Sequence, residues 1–256
     1  MIGQCKLCLN PTTELQKSHY LSAGIYRILR DDTDKNPNPW EITANGMCQT
    51  SNQKKAYLLC SDCENLFNKN GENWVLRNCL KKDGKFPMAS ILASRTPDVS
   101  EPGQETRVYF AANIPDINIS ALSYFAASIF WRGSIFPWNS DGATPINLGP
   151  FQEGFRRYLC GLDCFPQDCS LWFTVREGKK IDKFTATPFG ERKGSYHEYK
   201  FAMPGFAFVL MVSKNIPAVF RRTCFVHAAG NPIIMTLFLE EMLEDIARKK
   251  MAPFFL

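Results

Sequence analysis

Two hydrophobic textures divide this chain. From Leu171 onward short apolar runs between turn residues predict strands over Leu171–Arg176, Lys183–Thr187, Tyr196–Phe201, Phe206–Val212 and Phe220–Val226, with Gly190, Gly194 and Gly205 at the turns. Ahead of that, helical spacing dominates. Leu21, Ile25, Ile28 and Leu29 predict a helix over 21–31, and Ser120 reads as the cap of a helix burying Leu122, Phe125, Ile129 and Phe130. A further helix buries Phe151, Phe155, Tyr158 and Leu159 and leaves Arg156 and Arg157 on its wet side. A terminal helix is predicted over Leu237–Lys250, because Glu240, Glu241, Glu244 and Asp245 precede Arg248, Lys249 and Lys250, the order the helix dipole favours.

The front of the chain reads as short strands over Glu14–Tyr20, Glu41–Cys48 and Lys55–Leu59, with Asn45-Gly46 a tight turn and Asp31–Pro39 a loop. Helices follow at Asp62–Asn68 and Trp74–Leu80, and Thr106–Asn113 is a strand. Pro97, Pro102 and Gly103 make Thr96–Gln104 the expected linker. The fold class is therefore α+β: a small module over 1–95, then a larger mixed α+β domain over 104–256. No internal repeat is visible.

Composition adds limits. With 256 residues, 45% hydrophobic and 21% charged, the chain is globular and not disordered. A net charge of +5 allows a nucleic-acid partner without implying one. The apolar stretches near Ile117–Trp131 and Phe201–Val212 fall short of the ~20 residues of a spanning helix, so no membrane is expected. Met1–Asn10 has no basic segment followed by an apolar run, so the expected location is cytoplasmic. In a reducing compartment paired cysteines bind metal more often than they form disulfides.

That matters because four of the ten cysteines form two short pairs, Cys5-x-x-Cys8 and Cys60-x-x-Cys63. Such turns each aim two sulfurs at one point, and together supply the four soft ligands of a structural Zn²⁺. Reduced structural thiols or a redox dithiol are the plainer alternatives. Cys48 and Cys79 read as core residues, and Cys160, Cys164 and Cys169 are spaced poorly for a second knuckle.

Between the pairs stands Ser18-His19-Tyr20, and Leu58-Leu59 runs directly into the second pair and a polar helix. Over residues 5–75 this arrangement resembles the HNH endonucleases, the zinc-stapled branch of the ββα-metal nucleases. The resemblance implies a metal-dependent endonuclease that hydrolyses phosphodiester bonds, with DNA the expected nucleic acid. Small bacterial nucleases of this kind act in restriction or antiphage defence. It assigns His19 as the general base, and Asn52, or less well Asn45, as the residue that orients it. Asn68 is the helix ligand of one Mg²⁺ or Mn²⁺, with Glu64 and Glu72 as carboxylates able to serve the metal instead. Residues 104–256 then supply DNA contacts, a surface for a protein partner or a sensor pocket.

The sequence departs from the pattern at Ser18, where the family commonly has an acid or a second histidine, and in the length of the insert between His19 and Cys60. A non-catalytic zinc module that binds nucleic acid or protein is the alternative reading. His197 and His227 read as hydrogen-bonded structural residues. The paired bases Arg156-Arg157, Lys179-Lys180, Arg192-Lys193 and Arg221-Arg222 read equally as a nucleic-acid groove or as solvated faces. No Walker-type loop and no Gly-x-Ser-x-Gly elbow occurs.

Overall fold

The computed structural model describes residues 1–30, 38–43, 46–80, 86–100, 106–138, 142, 144–176, 184–226 and 233–237. The chain opens with β1 (Ile2–Gly3), β2 (Thr13–His19), α1 (Ala23–Leu29), the antiparallel pair β3 (Trp40–Thr43) and β4 (Gly46–Gln49), and β5 (Lys55–Cys60). Then come α2 (Ser61–Phe67), a π-helical turn over Asn68–Glu72, α3 (Asn73–Asn78), α4 (Pro87–Ala93), β6 (Val99–Ser100) and β7 (Arg107–Phe110). The rest is α5 (Ile119–Ile135), α6 (Gln152–Leu159), β8 (Cys169–Arg176), β9 (Phe184–Lys193), β10 (Tyr196–Met203), β11 (Phe206–Val212), α7 (Ala218–Arg222) and β12 (Ile233–Leu237).

Two sheets result. The small one has the order β1-β2-β5 and is antiparallel. The large one has the order β4-β3-β9-β10-β11-β8-β12-β7-β6, antiparallel except at β3/β9 and β12/β8. The β10–β11 hairpin is closed by Pro204-Gly205, with Met203 opposite Phe206 and Gly205 at φ +82°. Proline presets the first turn position and glycine takes the left-handed second one. Gly190, expected at a turn, lies instead within β9, where the Tyr199 ring covers it so closely that a Cβ would sit 2.1 Å from Cδ1.

Helix α5 is buried on nearly every side, as its uniform apolarity requires. It lays Phe125 and Phe130 on the large sheet, against Phe201 at centroid separations of 6.2 and 5.1 Å. Its other flank meets the small sheet's helices: Phe67 packs edge-on to Trp131, and Gly71 lies directly on the Phe125 backbone. One contiguous buried set thus runs from Cys5 and Leu59 through Phe67 and Phe125 to Phe208, across the boundary expected at 96–104. The insert between the first strands also leaves the small sheet, since β3 pairs in parallel with β9.

Several local expectations need correcting. The cap of α5 is Asn118, not Ser120, because its side chain accepts the Ala121 N–H at 2.9 Å from the true Ncap position. Residues 220–226 do not form a strand. Pro217 starts a helical turn there, with its carbonyl accepting from the Phe220 and Arg221 amides. The segment expected as the start of a terminal helix is entered by strand β12, and residues 238–250 lie outside the described residues. Cys48 is exposed while Cys79 is buried. No helix among the described residues is long and apolar enough to cross a membrane.

Candidate functional site

The two cysteine turns meet where β5 runs into α2. The ligand atoms of Cys5, Cys8, Cys60 and Cys63 all lie within 4.8 Å of one another. The Cys8 and Cys60 sulfurs are 3.9 Å apart, too far for the ~2.05 Å disulfide bond. It is close to the edge of ~3.8 Å that a tetrahedron with ~2.3 Å Zn–S bonds requires. The turns are built for this: the Cys60 N–H donates to the Cys5 sulfur at 3.4 Å, and the Lys6 N–H donates to the Leu58 carbonyl. Leu9 N–H bonds back to the Cys5 carbonyl, which brings Leu9 to φ +63°. Arg156 from α6 donates to the Leu7 carbonyl at 2.6 Å, so it is a brace on the first turn and not a wet-side residue.

Electrostatics inside the cluster favour a cation. The Cys5 thiol is held down to about 4, chiefly by its hydrogen bond with Cys63. That same bond, with burial, pushes Cys63 far up. Adjacent thiolates repel and one proton is shared between them; a dication ionises all four. The donor set is compatible with a structural zinc.

Beside the cluster, β2 and β5 form the antiparallel pair that leads into α2. At the end of β2, successive side chains take opposite faces. Ser18 is buried and its hydroxyl donates to the Glu64 carboxylate on α2. His19 faces the other way, half-buried, with Nε2 3.1 Å from Gln53 Oε1. An amide oxygen only accepts, so in this arrangement Nε2 carries the proton and Nδ1 keeps its lone pair. Burial holds the imidazole below its ordinary range, and Lys55 adds to this; Gln53, Glu64 and Glu72 pull the other way. The ring is therefore neutral near pH 7, the form a base needs.

Asn52 is exposed, and its backbone N–H bonds the Thr50 hydroxyl; the imidazole is met by Gln53, one residue on. Glutamine offers the same amide as the expected asparagine, on a longer arm. Asn45 lies outside the described residues, as does His227. Asn68 is exposed, four residues after Glu64 and hence on the same face of the helix. Glu72 is elsewhere. The Asn73 N–H reaches back five residues to the Asn68 carbonyl, and this wider turn rotates Glu72 away from the position an α-helix would give it. Its carboxylate is buried and bonds Arg132 of α5 at 2.7 Å. Arg132 also donates to the carbonyls of His19 and Tyr20 at 3.0 and 3.1 Å, and its guanidinium lies 4.6 Å from the Phe67 centroid. No motif marked Arg132, because its partners are set by tertiary packing.

On the outward face of this sheet end, a cavity of about 780 Å³ is lined by Lys17, Ser51–Lys55, Phe136, Pro137 and Trp138. A second cavity of about 520 Å³ opens between 144–151 and the β9–β10 hairpin. His197 lines it, stacked with Tyr199 at 6.2 Å.

No protein-family model, curated protein or solved structure matches the chain.

Proposed function

We propose that the chain is a zinc-stapled, divalent-metal-dependent nuclease of HNH type, hydrolysing phosphodiester bonds in nucleic acid. The observation that carries this is the strand end: Ser18 meets Glu64 on one face, and His19 stands on the other with Nε2 satisfied by Gln53. The base and the carboxylate thus lie on opposite faces at the end of β2, in an antiparallel strand pair braced by a four-cysteine cluster.

In this reading His19 Nδ1 takes the proton from the attacking water, the Gln53 bond fixing ring orientation and tautomer. On the opposite face Glu64, with the Asn68 amide oxygen and the Ser18 hydroxyl, would offer the hard oxygen ligands Mg²⁺ and Mn²⁺ prefer, so a phosphate reaches both groups only around the end of β2 at His19. A cation bound there supplies charge neutralisation for the phosphate and the leaving oxygen. Glu72 holds Arg132, and through it the backbone under His19; it orients and does not ligate. The proposal extends to a bacterial defence or restriction effector, with DNA as the substrate.

Plasmid nicking with Mg²⁺ or Mn²⁺ tests it. His19→Ala is expected to lose about 10²–10⁴-fold in rate, and equal rates in both proteins overturn the assignment. Because the His19 pKa is lowered, the wild-type rate rises with pH along a limb placed below histidine's ordinary range. It is then flat through neutrality; a limb above that range contradicts the base role.

A second reading has its own observation. The Arg132 bond to Glu72 and the Ser18 bond to Glu64 are also what a zinc-stapled binding module without chemistry would show. It predicts tight zinc and no metal-stimulated cleavage by either protein.

A further inference from the structure

The cavity lined by Gln53, the partner of the His19 ring, has chemistry that hydrolysis alone does not use. Register places Lys17 opposite Tyr57 and His19 opposite Lys55, so these four side chains share the outward face of the β2–β5 pair. Lys17, Lys55 and Tyr57 are exposed, Tyr57 at 44% although it is a large ring. The face continues into the cavity, whose floor is the polar run Ser51, Asn52 and Gln53. Its far wall is Phe136-Pro137-Trp138 at the end of α5.

The wall is rigid. Trp138 is stacked on Tyr20 at 4.8 Å and its Nε1 donates to the Arg132 carbonyl, while the Phe136 ring leans on it at 4.8 Å. The charge is not all free: Lys54 is paired with Glu41 of β3 at 2.8 Å. Among the described residues Lys17 and Lys55 have no acidic partner, and both are exposed to an anion. Two cations, Lys17 and Lys55, thus stand between the Tyr57 ring on the strand pair and the Phe136 ring on the adjoining wall.

A base can lie against a ring only when it is unpaired, and aromatic-lined basic grooves hold single strands by that means. A duplex presents phosphates but keeps its base faces stacked, so it gains from the lysines and not from the rings. The cavity of about 780 Å³ has room for a nucleotide. We propose that this cavity binds an unpaired nucleotide next to the scissile phosphate. Lys17 and Lys55 hold backbone phosphates and Phe136 takes the base, making the substrate single-stranded or locally opened nucleic acid. The inference rests on the nuclease reading for its orientation toward His19, but its binding claim is tested separately.

The test is fluorescence anisotropy with the full chain, zinc retained and no other divalent metal added, at about 0.15 M salt. The probes are a short labelled oligonucleotide, as single-stranded DNA and as its duplex. Single strands are expected to bind at least about tenfold more tightly than duplex. Lys17→Ser/Lys55→Ser is expected to weaken both probes and to flatten the salt dependence by about one to two phosphate contacts. Phe136→Leu should reduce only the single-strand preference. These positions are exposed or half-buried, and unchanged zinc content and circular dichroism verify that each variant is folded. Equal affinity for both probes, or an unaltered preference in Phe136→Leu, overturns the proposal. Single-strand binding without cleavage under Mg²⁺ leaves the subsite standing and removes the nuclease reading; cleavage with no single-strand preference does the reverse.

Discussion

The two sheets of this molecule are stabilised by different means. The large sheet buries a ladder of rings: Phe201 stacks on Phe208 at 4.5 Å, Phe173 on Phe206 at 4.8 Å, and Phe125 leans on both Phe201 and Phe208. The small sheet has three strands, one of them two residues long, too little area to hold itself by burial. What closes it is chemistry: four convergent thiols on one side and the Arg132–Glu72 pair on the other. Burial tolerates approximate fits, whereas ligand sets and buried ion pairs fail when one member goes.

The sharpest break in that comparison is at the cysteines. Cys63→Ser, or stripping the metal with a chelator, should remove more stability than any change in the large sheet. Structural zinc contributes on the order of 10 kcal/mol or more to folding small sites. Thermal unfolding followed alongside zinc content measures this, and an unchanged melt would show the staple to be dispensable. Next comes Arg132→Met, which strands the buried Glu72 carboxylate and is expected to cost about 3–5 kcal/mol in urea unfolding. Adding Glu72→Leu should return much of that, since the penalty lies in the unpaired charge. Phe208→Ala should cost a similar ~3–5 kcal/mol by cavity formation but leave zinc stoichiometry untouched, which separates the two modes. The smallest effect is a gain. Leu9 sits at φ +63°, a region that costs a branched residue about 1 kcal/mol, so Leu9→Gly should raise stability by roughly that amount in the same assay.

The cysteine turns were legible from spacing alone, because ligand geometry is local: two residues between thiols fix where the sulfurs point. The strand that runs into the second cysteine pair and the helix behind it were legible for the same reason. Glu72 was not, because a single wider helical turn at Asn68–Glu72 changes which face a residue four positions on will occupy. That turn is enforced from outside by α5, which touches Gly71 so closely that a Cβ would lie 2.9 Å from the Phe125 nitrogen. Phe220–Val226 misled in the opposite way: apolar content suggested a strand, while Pro217 and neighbouring carbonyls imposed a turn. The placement of Trp40–Thr43 in the far sheet could not be read at all, since pairing between distant strands leaves no mark in either segment.

That distant pairing has a consequence for how the chain is made. Both cysteine pairs emerge early in synthesis, yet β3, lying between them, has its partner at Phe184–Ala186, more than half the chain later. At ~5–20 residues per second the ribosome takes on the order of ten seconds to deliver it. Throughout that interval β3, in the loop between the two cysteine pairs, lacks its β9 partner, and an unpaired β-edge is the surface on which a nascent chain is most exposed to mispairing or to capture by a chaperone.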